Sequence, residues 1–208
     1  CGLVHTMSGE RIAQAVADLC LAPTDSTDAL ICPSNAIRDA VQKLWEIHAD
    51  YINHRIGGNF ICPIQLPVIP LGIDTDKFVQ RSTAEKRQQQ RKALGIADDE
   101  VVILFLGRLS FATKSHPLPL MLAAESAAKR SKRKIRLVMC GYFKPTDMEP
   151  RYKNLAADIC KTVRCEFISN DDPRFPDGLW AAGDIFTSLV ENIQESFGLT
   201  PIEAMACG

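Results

Sequence analysis

Two glutamates, Glu195 and Glu203, stand with seven residues between them in the stretch QESFGLTPIEAMACG. Within it, Thr200-Pro201-Ile202-Glu203 has the form of a capping box with Pro at the first helical position, and Ser196 is an alternative cap one turn earlier. A helix starting here leaves backbone N–H groups near Gly198 and Leu199 without intrahelical acceptors, and such a start attracts anions, phosphates above all. Two cations lie upstream: Arg108, directly after the apolar run EVVILFL and Gly107, and Lys114. A guanidinium grips a phosphate bidentately and an ammonium acts as a point charge, so a diphosphate is the natural guest. Carboxylates repel phosphates, so the two glutamates suit hydroxyls at either end of it, a sugar on one side and a ribose on the other. For Glu203, helix capping alone accounts equally well for the spacing. For Arg108 and Lys114 the competing reading is surface charge, weakened for Arg108 by its place at the end of a buried strand.

These groups are far apart in sequence and need a scaffold. Strand-like and helix-like segments alternate. GLVHT and DALICPS read as strands, with Ser8 and Ser34 as caps of the helices that follow; the second helix carries Ile37, Val41, Leu44, Ile47 and Ile52 and ends at Gly57-Gly58. CPIQLPVIPLGIDTDKF reads as a Pro-punctuated connector with a short strand around Val68-Ile69, and Val79–Gly95 as one solvated helix. EVVILFLG, IRLVMCG, VRCEFIS and DIFTSL read as strands, separated by helices in PLPLMLAAESAAKR, RYKNLAADICK and GLWAAG. This order implies right-handed crossovers and parallel sheets, an α/β class. Ligands of such sheets bind beyond the carboxyl ends of the strands. Those ends supply Gly107-Arg108 with Lys114, Gly141-Tyr142, and Ser188 leading to Glu195.

The net charge of −1 offers no field for nucleic acid, and no apolar run approaches the ~20 residues that span a bilayer. Eight cysteines without a Cys-x-x-Cys spacing, several inside apolar runs, read as reduced buried thiols of a cytoplasmic protein. The basic cluster KRSKRKIR, residues 129–136, is either a solvated helix end or a contact for anionic lipid, which would make the protein peripheral at the inner membrane face. Asp74-Thr75-Asp76 has the Asp-x-Asp form of a divalent-metal site, yet it lies in the connector, and no metal and no cofactor are expected.

On the segments VIPLGIDTDKF, LFLGRLSFATK, LVMCG, VRCEF and DIFTSLVENIQESFGLTPIEAMACG, together with GLVHT, the chain resembles the retaining glycosyltransferases of GT-B fold, glycosyltransferase family four, with its glycosyl transferases group 1 domain. The resemblance runs in order along nearly the whole chain. It implies two Rossmann-like domains: 1–75, the C-terminal part of an acceptor-side domain plus connector, and 76–208, a nucleotide-sugar-binding domain lacking its end. On this reading the chain is a fragment, inactive alone.

The resemblance also implies roles. Arg108 and Lys114 bind the donor diphosphate, Glu203 the ribose, and Glu195 the hydroxyls of the transferred sugar. The backbone at Phe197, Gly198 and Leu199 meets sugar and distal phosphate, Gly107 and Gly141 line the donor site, and His5 reaches the sugar from the other domain. The implied reaction moves a hexose from a nucleoside-diphosphate sugar to the hydroxyl of an unidentified glycan, lipid or small-molecule acceptor, with retention. Ser115-His116-Pro117 departs from the glycine that many members carry after the lysine. A nucleotide-sugar epimerase of the same fold and a non-catalytic nucleotide-binding module are the alternatives. A dehydrogenase is disfavoured because no Gly-x-Gly-x-x-Gly follows a strand.

Overall fold

The computed structural model describes residues 1–7, 9–111, 114, 116–145, 147–173, 176–190 and 196–208. The chain divides into two compact units: Cys1–Gly72 with Ile193–Gly198, and Ile73–Asn192 with Leu199–Gly208.

In the first unit, β1 (Gly2–Leu3) pairs in parallel with β2 (Leu30–Ile31). Bridges Ala29–Gln65 and Cys32–Val68 add a third extended segment, where the sequence leads one to expect a short strand near Val68. Helix α1 (Glu10–Asp18) starts after Gly9; the expected cap Ser8 lies outside the described residues. Helix α2 (Asn35–Ile56) has both predicted ends. Ser34 Oγ accepts from the Ile37 N–H at 3.3 Å, and Gly57 closes the helix at φ 68°, a left-handed conformation natural to glycine. Ile37, Val41, Trp45 and Ala49, four residues apart, form its buried stripe, and the first three pack with Val4, Val16, Cys20, Leu30 and Cys32. The Trp45 indole N–H donates to the Val16 carbonyl at 2.7 Å, pinning α1 to α2.

The second unit is a four-stranded parallel sheet, order β5-β4-β3-β6, from β3 (Val101–Leu106), β4 (Ile135–Cys140), β5 (Arg164–Ile168) and β6 (Ile185–Phe186). Side chains alternate across it. Ile103 and Phe105 face α5 (Leu118–Ser131) and α6 (Met148–Ile159), packing with Leu120, Met121, Leu137, Met139 and Tyr152. Val102 and Leu104 face the opposite layer with Val138, Phe78, Leu94 and Trp180, the last from the 3-10 helix Pro176–Ala182. Burial on both faces explains the continuous apolar runs.

The single helix expected over Val79–Gly95 is two: α3 (Thr75–Arg81) and α4 (Ala84–Ala93). Each has its own cap, because Asp74 Oδ1 accepts from Lys77 N at 3.1 Å and Thr83 Oγ1 from Lys86 N at 3.3 Å. The side chain of Thr83 offers the backbone a fresh start and ends the first helix. Nor is α4 solvated all round. Gln90 and Arg91 are buried, and Asp184 ahead of β6 bonds both Arg87 and Arg91 and accepts the Val102 N–H at 2.7 Å.

Three cations of the basic cluster have separate structural roles, while Arg130, Lys132 and Arg133 are exposed. Arg136, on β4, is only 2% exposed and donates to the Leu94 and Gly95 carbonyls and to Glu100 and Glu166. Lys129 pairs with Glu125 and Lys134 with Asp99. The Glu125 carboxylate accepts from the backbone of Thr162 and Val163, which, despite its burial, pulls it down to about 2. All eight cysteines are free thiols; Cys20, Cys32 and Cys140 are buried and Cys1 is exposed. No helix among the described residues is long and apolar enough to cross a membrane.

Candidate functional site

The parallel register sets the carboxyl ends of β3 and β4 side by side, Leu106 opposite Cys140. Past those ends the two chains stay paired. Gly107 N donates to Cys140 O and Leu109 N to Tyr142 O, each at 2.9 Å, and Gly141 N donates on the other side to Ile168 O of β5. The junction is closed backbone to backbone. A Cβ on Gly141 would lie 1.8 Å from the Gly107 carbonyl oxygen and 3.7 Å from the Arg108 nitrogen. No other residue fits, which is the physical reason for glycine at this strand end. Arg108 therefore follows β3 directly after this junction, at the carboxyl end of the sheet.

Arg108 and Lys114 are both half-buried. The segment between them is fastened by fully buried Leu109 and Ser110 and by Phe111, whose ring stacks on Tyr152 with centroids 4.6 Å apart and planes 9° off parallel. On its other side Phe111 stacks on His116 at 4.8 Å and 16°. His116 Nδ1 accepts from Leu118 N at 3.2 Å, so a residue of the Ser115-His116-Pro117 segment holds the start of α5. Ala112, Thr113 and Ser115 lie outside the described residues.

Helix α7 (Leu199–Ala206) starts one residue before the expected cap Thr200. Thr200 is then inside the helix and Glu203 in its second turn, too far along for a capping box. Ser196 is no cap either: its hydroxyl donates to the His5 carbonyl at 3.1 Å, and its own carbonyl accepts from Ser34 Oγ at 2.7 Å, all within the first unit. Gly198, at φ 82°, makes the turn into α7 in a conformation that other residues rarely adopt. Glu203 thus loses its competing structural role. Burial pushes its carboxyl up from the ordinary range, opposed by the charge of Arg81 at the end of α3. Arg81 is the neighbour that sequence reasoning missed; α3 and α7 meet only in the fold, where Cys207 Sγ reaches the Phe78 carbonyl at 3.6 Å.

The remaining predicted residues are placed as follows. His5 is exposed and Phe197 half-buried, both in the first unit with Gly198; Leu199 and Glu203 belong to the second with Gly107, Arg108, Lys114 and Gly141. Glu195 lies outside the described residues. Asp74, first of the Asp-x-Asp pair, spends its carboxylate on capping α3. Among the described residues no three His, Cys, Asp or Glu side chains cluster as metal ligands.

The model of the glycosyl transferases group 1 family matches residues 86–208, more than half of the chain. A D-inositol 3-phosphate glycosyltransferase from Corynebacterium aurimucosum is 31% identical over 147 residues, covering 70% of this chain and 34% of that protein. A D-inositol 3-phosphate glycosyltransferase 2 from Catenulispora acidiphila is 32% identical over 155 residues, with the same coverage. The chain thus spans about a third of the length of the curated relatives it matches.

Among solved structures, a glycosyltransferase from Rickettsia africae superposes with a TM-score of 0.67 at 18% identity, over 99% of this chain and 48% of that one. Anabaena HepE, solved in complex with UDP and glucose, gives 0.66 at 17%, over 99% and 50%. These neighbours have the GT-B arrangement of parallel α/β sheets expected from the sequence. With the family model covering the second unit from α4 to α7, the chain belongs to the glycosyl transferases group 1 family of glycosyltransferases.

Proposed function

We propose that the protein transfers a hexose from a nucleoside-diphosphate sugar to an acceptor hydroxyl with retention of configuration, without a metal. The observation that carries this is the closed junction of β3 and β4, where Gly141 meets the Gly107 carbonyl and Arg108 emerges at the ligand edge of the sheet. Arg108 and Lys114 hold the diphosphate. Their charge counters the negative charge that builds on the leaving nucleotide, the largest catalytic contribution such a site offers. The N-terminal turn of α7 adds its dipole. Glu203, half-buried and no longer needed as a cap, accepts hydrogen bonds from the ribose hydroxyls, which replace the water it has lost. Glu195, His5 and the Phe197–Leu199 backbone serve the sugar and distal phosphate.

In the transfer, the bond from the anomeric carbon to the diphosphate breaks and the bond to the acceptor oxygen forms on the same face. The acceptor proton passes to the leaving diphosphate. The cation-like state between is stabilised by the departing anion, so no side chain here acts as nucleophile. Relatives named as D-inositol 3-phosphate glycosyltransferases support glycosyl transfer, and a neighbour solved with UDP and glucose supports this donor class. Free thiols throughout fit a cytoplasmic setting.

The test uses the full-length protein with a donor panel, scoring nucleotide release, and NMR of the product's anomeric centre. Arg108→Ala and Lys114→Ala each lower kcat/KM by about 10²–10³, and EDTA leaves the rate unchanged. Absence of binding to UDP, GDP and ADP alike, inversion at the anomeric carbon, or strict dependence on manganese would each refute the corresponding part.

A further inference from the structure

Residues 107–117 join β3 to α5 and carry both cations of the proposed donor site. A connection of this length loses conformational freedom when held in one geometry, so something must hold it. Its first part is held by backbone: the Leu109 N–H donates to Tyr142 O, and the Leu109 carbonyl accepts from Lys144 N at 3.1 Å. Its second part is held by rings. Tyr152, 1% exposed on α6, is met edge-on by Phe143 and Phe167; Phe111 lies flat on Tyr152, and His116 lies flat on Phe111. Lys114 falls in sequence between Phe111 and His116, and its N–H turns back to the Ser110 carbonyl at 3.3 Å.

The core explains only the inner pair. His116 is exposed, so its ring adds nothing to the buried cluster, yet it stacks within 16° of parallel on Phe111. Its Nδ1 is fixed in turn by the Leu118 N–H, so the ring has a defined orientation. The column ties a residue before Lys114 to one after it, and both to α6. We propose that the Tyr152–Phe111–His116 stack is a positioning device for Lys114, presetting its ammonium for the diphosphate of a nucleotide. This rests on the donor site proposed above. His116 and Phe111 touch no substrate; they act through the lysine, reducing the freedom it loses on binding. A stacked aromatic pair is worth roughly a two- to tenfold factor in an equilibrium.

The experiment separates the two jobs of His116 in the full-length protein. His116→Asn keeps a side-chain acceptor for the Leu118 N–H and removes the ring; His116→Phe keeps a ring and removes the acceptor. Affinity for UDP, GDP and ADP is measured by calorimetry, with Tm recorded alongside. For the nucleotide that binds, His116→Asn weakens affinity about three- to tenfold, and His116→Phe stays within about twofold of wild type. In a Lys114→Ala background His116→Asn has no further effect on affinity. Wild-type affinity in His116→Asn alongside weakened Lys114→Ala, or full additivity of the two, overturns this inference and leaves the donor site standing. Failure of the wild type to bind any of the three overturns the donor site and this inference with it.

Discussion

Gly141→Ala is the sharpest perturbation available at the junction that carries the functional argument. The new methyl group would sit 1.8 Å from the Gly107 carbonyl oxygen and 2.8 Å from its carbon, both backbone atoms with no rotamer to escape into. Reaching even a tight 3.0 Å contact from 1.8 Å needs the strand ends to part by 1.2 Å. The junction bonds Gly107 N–Cys140 O and Leu109 N–Tyr142 O, each 2.9 Å, would lengthen past 4 Å if they absorbed that shift. Two lost backbone bonds cost about 1 kcal/mol each, and buried groups left unsatisfied add about 1–3 kcal/mol more. The expected loss is about 3–5 kcal/mol, a large part of the stability of an ordinary domain.

Urea denaturation followed by circular dichroism measures it, with Gly72→Ala as control. A Cβ on Gly72 meets nothing within 4 Å, so that variant stays within about 0.5 kcal/mol of wild type. Gly183→Ala, whose Cβ would approach Leu104 Cβ at 3.2 Å, falls between the two. A loss below about 1 kcal/mol in Gly141→Ala, or a loss as large in Gly72→Ala, would refute the claim that the strand ends touch.

Other outcomes follow from single observations. Arg136→Met removes the donor that serves two carbonyls and two carboxylates in the interior, taking the cation from beside Glu100 and Glu166; calorimetry shows a loss of about 3–5 kcal/mol. Glu125 has a folded pKa of about 2 against an ordinary 4.5, so its stabilisation is complete above 4.5 and disappears as pH falls toward 2. Glu125→Gln therefore flattens the acid limb of a stability-against-pH curve in that window and leaves its shape at neutral pH unchanged. Glu203 is raised by burial and lowered by Arg81, and binds ribose in its ionised form. Nucleotide affinity then declines as pH falls toward a value above 4.5; Arg81→Gln moves the decline to higher pH and Glu203→Gln abolishes it, both read by calorimetric titration. The thiol of Cys207, also beside Glu203, stays neutral throughout because burial raises it.

What the sequence by itself determined is local. The apolar run at Val101–Leu106, the Ser34 cap and the Gly57 stop each depend on neighbours within a few residues, and each is where the pattern puts it; on α2, Ile37 and Val41 are buried as expected, but Trp45 and Ala49 continue the stripe while Ile47 is exposed. The parallel pairing of the strands followed because alternating strands and helices imply crossover connections. The cations after Gly107 could be found for the same reason: a strand end is a place that sequence can name. The break at Ser82-Thr83 was local too, but a threonine cap inside a polar stretch is easily taken for one more helical residue.

Tertiary structure alone decided the rest. Arg136 reads as one cation among several in KRSKRKIR, and only the meeting of β4 with the end of α4 and with β5 shows that it is buried and held by carbonyls and carboxylates. Glu203 could be cap or ligand until the start of α7 at Leu199 removed the first option and the packing of α3 brought Arg81 beside it. The contact of Gly141 with Gly107 joins positions 34 residues apart, and the column of His116, Phe111 and Tyr152 reaches across a loop to another helix. Spacing along the chain carries the chemistry of a residue and the period of its element, whereas desolvation, ring stacking and backbone contact depend on what folding brings opposite it.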